Sequence, residues 1–229
     1  MRIVKKLANE INFDSILDAG CGDREFSFFL AKKYPNAKID ACDLSKEMID
    51  LCKEIQKHLK TCNISFFVQD LVTYKSHDTY DFIFSNHVLG HIIKNRLVIS
   101  NLVSSINKNG YIYIQIPNAL QKRLSFGKRF IRSHEEWAKK EHLSQTLTLD
   151  SLSSELERLS CKILIAKYTE GFWGELRFEL SEMAQSYFHS YLLFALLFPL
   201  LRIFGYVDSL MNYSEGNGIL ILAKKTTRD

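Results

Sequence analysis

The sequence predicts an α/β, doubly wound domain, with a seven-stranded, mostly parallel sheet between helices on both faces. Three observations predict it. β-prone and helix-periodic segments alternate along the chain, the pattern that joins parallel strands through crossover helices. The 229 residues suit one such domain, or two small ones at most. Only 3 prolines and 10 glycines leave no room for a long flexible linker, so one domain over residues 1–229 is expected.

The elements follow in order. Residues 15–19 (Ser-Ile-Leu-Asp-Ala) read as a strand, and 23–34 as a helix with Phe26, Phe29 and Leu30 on one face. Residues 37–42 form a second strand. Ser45 then caps a helix carrying Met48, Ile49, Cys52, Ile55 and Leu59 at 3–4 spacing. Residues 63–68 and 80–85 give strands three and four. A helix over about 92–107 presents Ile93, Leu97, Leu102 and Ile106, and 110–116 is a fifth strand ending at Pro117. Leu149, Leu152, Leu156 and Leu159 mark another helix, 162–168 a sixth strand, and 218–224 the last.

Composition narrows the function. Apolar residues at 46% and charged residues at 24% exclude a disordered or fibrous chain. A net charge of +4 is too mild to imply nucleic-acid binding, and none is expected. The five cysteines (Cys21, Cys42, Cys52, Cys62, Cys161) show no metal-ligand spacing, so no metal is expected and a reducing compartment fits. The first ten residues lack an apolar core of signal-peptide length. A cytoplasmic location follows as an expectation.

Chemistry gathers behind the first strand. Asp18, Ala19, Gly20, Cys21 and Gly22 close that strand and open a helix, with glycines where the backbone turns sharply and a ligand can approach. About twenty residues on, Asp43 stands where a carboxylate can accept both ribose hydroxyls. Asp70, past the third strand, is placed to accept from an exocyclic amine. A nicotinamide site wants a third glycine where Glu25 stands, and a pyrophosphate disfavours Asp18 and Asp23. S-adenosylmethionine, with an ammonium and a sulfonium, suits these acids.

These residues carry a family resemblance. Ile16 to Gly22 resembles the first motif of class I S-adenosylmethionine-dependent methyltransferases. The segments around Asp43 to Met48, Asp70 with Leu71, 80–92 and 108–118 are similar to the later motifs in order. The likeness covers residues 15 to about 167 and the last strand, and extends to the ubiquinone/glycan type through Glu141, His142, Leu143 and 148–152. It implies a last strand antiparallel to the rest, with a helical cap inserted before it. The core is then about 1–117, 148–169 and 217–225, and the insertions about 118–147 and 170–216. It implies that Asp18, Gly20 and Gly22 line the methionine half of the cofactor, that Ala19 and Cys21 are among the cofactor-binding residues, and that Asp43 holds the ribose. Leu44, Met48, Asp70 and Leu71 then surround the adenine, and Asn86 joins the site from the fourth strand. Two positions depart from the family pattern: Arg24 replaces a further glycine, and Gly90 stands where a glutamate is common.

At the reacting end, in-line displacement from a sulfonium draws mainly on orientation and water exclusion, with a base needed only for an acceptor that keeps its proton. His87 and His91, past the fourth strand, are the candidate bases, with His142 a weaker one. The Asn-Pro-Pro-Tyr signature of amino-group methylation on nucleobases or glutamine is replaced by Ser85, Asn86, His87 and Val88, which counts against DNA adenine methylation. The reading is methylation of an oxygen on a small molecule, glycan or lipid-linked intermediate. A non-catalytic scaffold with this fold and a nicotinamide-dependent oxidoreductase stay open as alternatives.

Two insertions leave the binding edge. Residues 121–133 hold Lys122, Arg123, Lys128, Arg129 and Arg132 without an acid, either a solvated basic face or a site for a phosphate-bearing substrate or anionic membrane. In the second insertion 184–201 is uncharged, but only 191–201 is truly apolar, and Pro199 is expected to break or kink it. A full crossing would strand the last β-segment across the bilayer from its sheet. The stretch therefore serves as a packed cap, a homodimer contact or a peripheral lipid contact.

Overall fold

The computed structural model describes residues 7, 10–22, 25–75, 79–121, 147–184 and 191–226. Asp23, Arg24, the basic run at 122–132 and His142 lie outside the described residues. The described strands are β1 (Ser15–Ala19), β2 (Lys38–Asp43), β3 (Ile64–Val68), β4 (Tyr80–Asn86), β5 (Ile106–Pro117), β6 (Cys161–Thr169) and β7 (Gly218–Lys225). They form one sheet in the order β3-β2-β1-β4-β5-β7-β6. All neighbours are parallel except β7, which runs antiparallel to both β5 and β6.

Alternate residues of each strand serve the two faces. Leu17, Ile83, Ile112 and Ile114 pack against α3 (Asn95–Ser104) and α4 (Leu149–Arg158) through Val98, Leu102, Leu152 and Leu156. Their neighbours Ile16, Phe82, Phe84 and Tyr113 face α1 (Glu25–Lys33) and α2 (Lys46–Leu59) through Leu30 and Ile49. Helix starts follow the sequence. Ser45 accepts from the Met48 N–H at 3.2 Å, and Thr148 with Ser151 closes a reciprocal cap on α4.

The helix expected over about 92–107 is corrected. A 3-10 turn, Leu89–His91, comes first, α3 starts at Asn95, and Ile106 already belongs to β5. Ile93 and Leu97 are exposed, because the core face of the shorter helix is Val98, Ile99, Leu102 and Val103. Leu59 is likewise exposed at the end of α2.

The second insertion is a helical hairpin, α5 (Phe172–Glu182) and α6 (Tyr191–Leu210). Pro199 does not end α6. The carbonyl it deprives of a helical partner belongs to Ala195, and both residues are exposed, so the helix runs on at a solvent-facing position. The start of α5 has no cap from its own sequence. Asp208 of α6 supplies one, accepting from the N–H groups of Glu170 (3.2 Å), Gly171 (3.1 Å) and Gly174 (2.9 Å). Among the described residues no helix is long and apolar enough to cross a membrane.

At the opposite edge Asp81 ties three strands together. It accepts from the backbone of Asp14 and Ser15 at 3.0 Å each and from Asn107 at 2.7 Å. Burial alone would raise its carboxyl, but the bonds from Asn107, Asp14 and Ser15 together hold it below the ordinary range. A depressed carboxyl stabilises the fold above the unfolded value and stops doing so as pH falls through the folded one. Asp81→Asn is therefore expected to cost about 1 kcal/mol in urea unfolding at pH 7, with the gap from wild type closing as pH falls below the ordinary aspartate range.

Candidate functional site

The strand order reverses between β1 and β4, and open α/β sheets bind ligands in the crevice at such a point, outside the C-terminal ends of the strands. The turn after β1 lies there. Gly20 (φ +84°) and Gly22 (φ +44°) are both in the left-handed region. A side chain at Gly20 would place its Cβ 2.2 Å from Val88 Cγ2 and 3.0 Å from Val88 Cβ, whereas at Gly22 it would meet nothing within 4 Å. Gly20 thus holds the turn down on the β4 loop, and the space beside Gly22 is open. Gly20→Ala is expected to lower stability by about 2–4 kcal/mol in urea unfolding, and Val88→Ala in the same chain to recover part of that loss.

The turn is fastened to β2. The N–H groups of Gly20 and Cys21 both donate to the Cys42 carbonyl at 2.9 Å, and the Gly22 N–H donates to Asp43 Oδ2 at 2.9 Å. Three successive donors that would cradle a pyrophosphate are therefore occupied inside the protein, an arrangement unfavourable to a dinucleotide. Asp43 also accepts from the Ser45 N–H at 2.9 Å. A carboxylate offers about four acceptor positions, so two remain for the vicinal hydroxyls of a ribose.

The other expected contacts divide by exposure. Leu44 is exposed and Met48 half-buried beside Asp43, an apolar flank for a base. Asp70 is exposed, with Oδ1 accepting from the Val72 N–H at 2.8 Å. Ala19, Cys21 and Leu71 turn their side chains into the core, and what they offer a ligand is backbone. Asp18 is buried, its Oδ2 accepting from Ser27 Oγ at 2.5 Å, so it anchors the first helix to the strand as well as placing negative charge under the turn. Burial pushes the Cys42 thiol up to about 12 and raises Cys21 as well, with Asp18 the next cause there; both stay neutral. Open space at Gly22, unused acceptor capacity on Asp43 and negative charge beneath a cationic group together fit S-adenosylmethionine.

At the far side of the crevice Asn86 is exposed at the end of β4, and His87 follows in left-handed backbone (φ 57°). The His87 N–H donates to the Gln115 carbonyl at 2.7 Å, which fixes that bend to β5. His91 is exposed on the 3-10 turn. Sequence reasoning missed the partner of His87. Glu170, just past β6 and also left-handed (φ 55°), brings Oε1 to 3.8 Å from His87 Nε2. It crosses the start of β7 at Gly218, where a Cβ would stand 3.3 Å from the Glu170 carboxylate and 2.4 Å from Thr169 Oγ1. Asp208 and the Asn217 N–H, which donates to the Glu170 carbonyl at 3.0 Å, hold its backbone. The available signal was an acid at the end of a parallel strand on the binding edge, followed by glycine.

Comparisons with known proteins agree with this geometry. Residues 13–170 match the family described as Methyltransferase domain. Over 133 residues the chain is 30% identical to malonyl-[acyl-carrier protein] O-methyltransferase 1 of Ilyobacter polytropus, an alignment covering 53% of this chain and 49% of that protein. Over 101 residues it is 26% identical to (S)-coclaurine N-methyltransferase of Thalictrum flavum subsp. glaucum, covering 44% and 28%. The chain thus spans about half the length, or less, of these curated relatives. Among solved structures, phosphoethanolamine N-methyltransferase 2 of Haemonchus contortus with S-adenosyl-L-methionine superposes with a TM-score of 0.71 at 16% identity, covering 99% of this chain and 52% of that one. An O-methyltransferase from a trans-AT PKS multienzyme of Brevibacillus brevis with S-adenosyl-L-homocysteine gives 0.65 at 16% identity, covering 97% and 71%. By its matched residues and by the glycine turn pinned to Asp43, the chain belongs to the methyltransferase domain family, in the class I group that uses S-adenosylmethionine.

Proposed function

We propose that this protein transfers a methyl group from S-adenosylmethionine to a hydroxyl oxygen of a small-molecule, glycan or lipid-linked acceptor. The observation that carries the oxygen assignment is the Glu170 carboxylate beside His87 at the edge facing the crevice. An aliphatic hydroxyl keeps its proton at neutral pH and needs a base as it attacks, whereas a neutral amine does not.

The cofactor, when bound, supplies an electrophilic methyl on a cationic sulfur. Asp43 holds the ribose through its two remaining acceptor positions, and Leu44 and Met48 flank the base. Asp18 contributes negative charge beneath the turn. His87 takes the acceptor proton as the new carbon–oxygen bond forms and the carbon–sulfur bond breaks, leaving a neutral thioether. Glu170 orients the imidazole from the Nε2 side, which presents Nδ1 to the acceptor. Their 3.8 Å separation is a charge-pairing distance and not a hydrogen bond; it closes on a shift of under about 1 Å or through one water, as catalytic contacts in ligand-free sites do.

The test is methyl incorporation from labelled S-adenosylmethionine into matched acceptors that differ only in carrying a hydroxyl or an amine. Transfer to the hydroxyl series supports the proposal. Transfer confined to amines overturns the oxygen assignment, and absence of S-adenosylmethionine binding supports the non-catalytic reading. NADH is expected to give no heat in the same titration cell.

A further inference from the structure

We infer that the outer face of α6 docks this protein onto an anionic phospholipid surface. The helix is two-sided. Inward, Leu201 is buried, the Phe204 ring lies 5.3 Å from Trp173, and Asp208 caps α5. Outward, Leu192, Leu196, Leu200, Ile203, Tyr206 and Leu210 are between 40% and 73% exposed. They recur three or four residues apart, so they make one stripe along about 30 Å of helix. Their exposed area is on the order of 600 Å², the upper end of what a monomer shows in one apolar patch.

Charge selects the occupant. Of the two charged residues of α6, Asp208 faces inward to the α5 terminus, while Arg202 is exposed on the flank of the stripe, 5.9 Å over the Phe198 ring. The acids Glu175 and Glu179 of α5 are also buried. Among the described side chains of the two helices the acids therefore turn inward, and a cation stands beside the apolar stripe. That combination suits a surface with an apolar boundary and phosphate groups, where Arg202 meets phosphate and Tyr206 sits at the headgroup level. A second copy fits less well. A two-fold axis through the middle of the stripe, near position 201, would set Arg202 against its own counterpart. The helix lies along the surface and does not cross it. α5 follows β6 directly, so the docked hairpin is joined to the binding edge of the sheet. The inference does not depend on which acceptor is methylated.

The experiment is flotation of the full chain with vesicles of phosphatidylcholine alone and of phosphatidylcholine with 30% (about one lipid in three) phosphatidylglycerol. The wild type is expected to float with the anionic vesicles. Leu196→Glu with Ile203→Glu should reduce the floated fraction at least about tenfold, and Arg202→Gln about fivefold on anionic vesicles only. All three positions are exposed, and circular dichroism with S-adenosylmethionine titration checks that fold and site persist. Wild-type protein that stays at the bottom with both vesicles overturns the inference. So does a double variant that floats undiminished, or a wild-type dimer that the double variant converts to monomer.

Discussion

His87→Ala is expected to lower kcat for methyl transfer to a hydroxyl acceptor by about 10²–10⁴-fold, with the Kd for S-adenosylmethionine unchanged. The size of the effect follows from its single role. The histidine is not assigned to holding the nucleoside, but stands at the strand end where the acceptor proton must leave. Glu170→Gln should cost less, because a neutral amide still accepts from Nε2 while withdrawing the charge that favours the developing imidazolium. In the His87→Ala background the same change at Glu170 should do almost nothing, since a positioning residue has no effect without the group it positions. Steady-state kinetics on the two single variants and the double variant measure this. An additive pair would assign Glu170 to holding the hairpin only.

Asp43→Ala is expected to weaken S-adenosylmethionine binding at least about a hundredfold by isothermal titration. Two charge-assisted hydrogen bonds to ribose hydroxyls are lost, each worth about 1.5–3 kcal/mol, and about 2.7 kcal/mol corresponds to a factor of one hundred. The variant also frees the Gly22 and Ser45 N–H groups, which loosens the turn against β2. Asp43→Asn separates the two effects. Its amide oxygen still accepts one backbone bond, so stability should largely recover while affinity does not.

The parts of the site that were legible in the sequence are those held by local chain geometry. Gly20 and Gly22 are needed where the backbone turns left-handed, and Asp43 follows at the interval of one helix and one strand. The alternation of strands and helices gave the sheet, because each amphipathic segment has only one way to cover it. What was hidden depends on contacts between distant segments. Glu170 meets His87 from a strand end 83 residues further along the chain, beside Gly218. Asp208 caps a helix that begins 36 residues earlier, at Phe172, so no capping residue could be found beside Gly171. Ile93 and Leu97 looked like core positions because the helical period was begun before Asn95; Ile93 precedes α3, and Leu97 lies on the face away from Val98, Ile99, Leu102 and Val103. The fastening of the turn to β2, by the N–H groups of residues 20–22 on Cys42 and Asp43, also joins segments about twenty residues apart.

A crystal structure with S-adenosyl-L-homocysteine bound tests the central claim most directly. The account predicts both ribose hydroxyls within about 3 Å of the Asp43 carboxylate, with the sulfur lying between the Gly20 turn and His87. A nucleoside seated elsewhere, with Asp43 held by Gly22 and Ser45 alone, would contradict it.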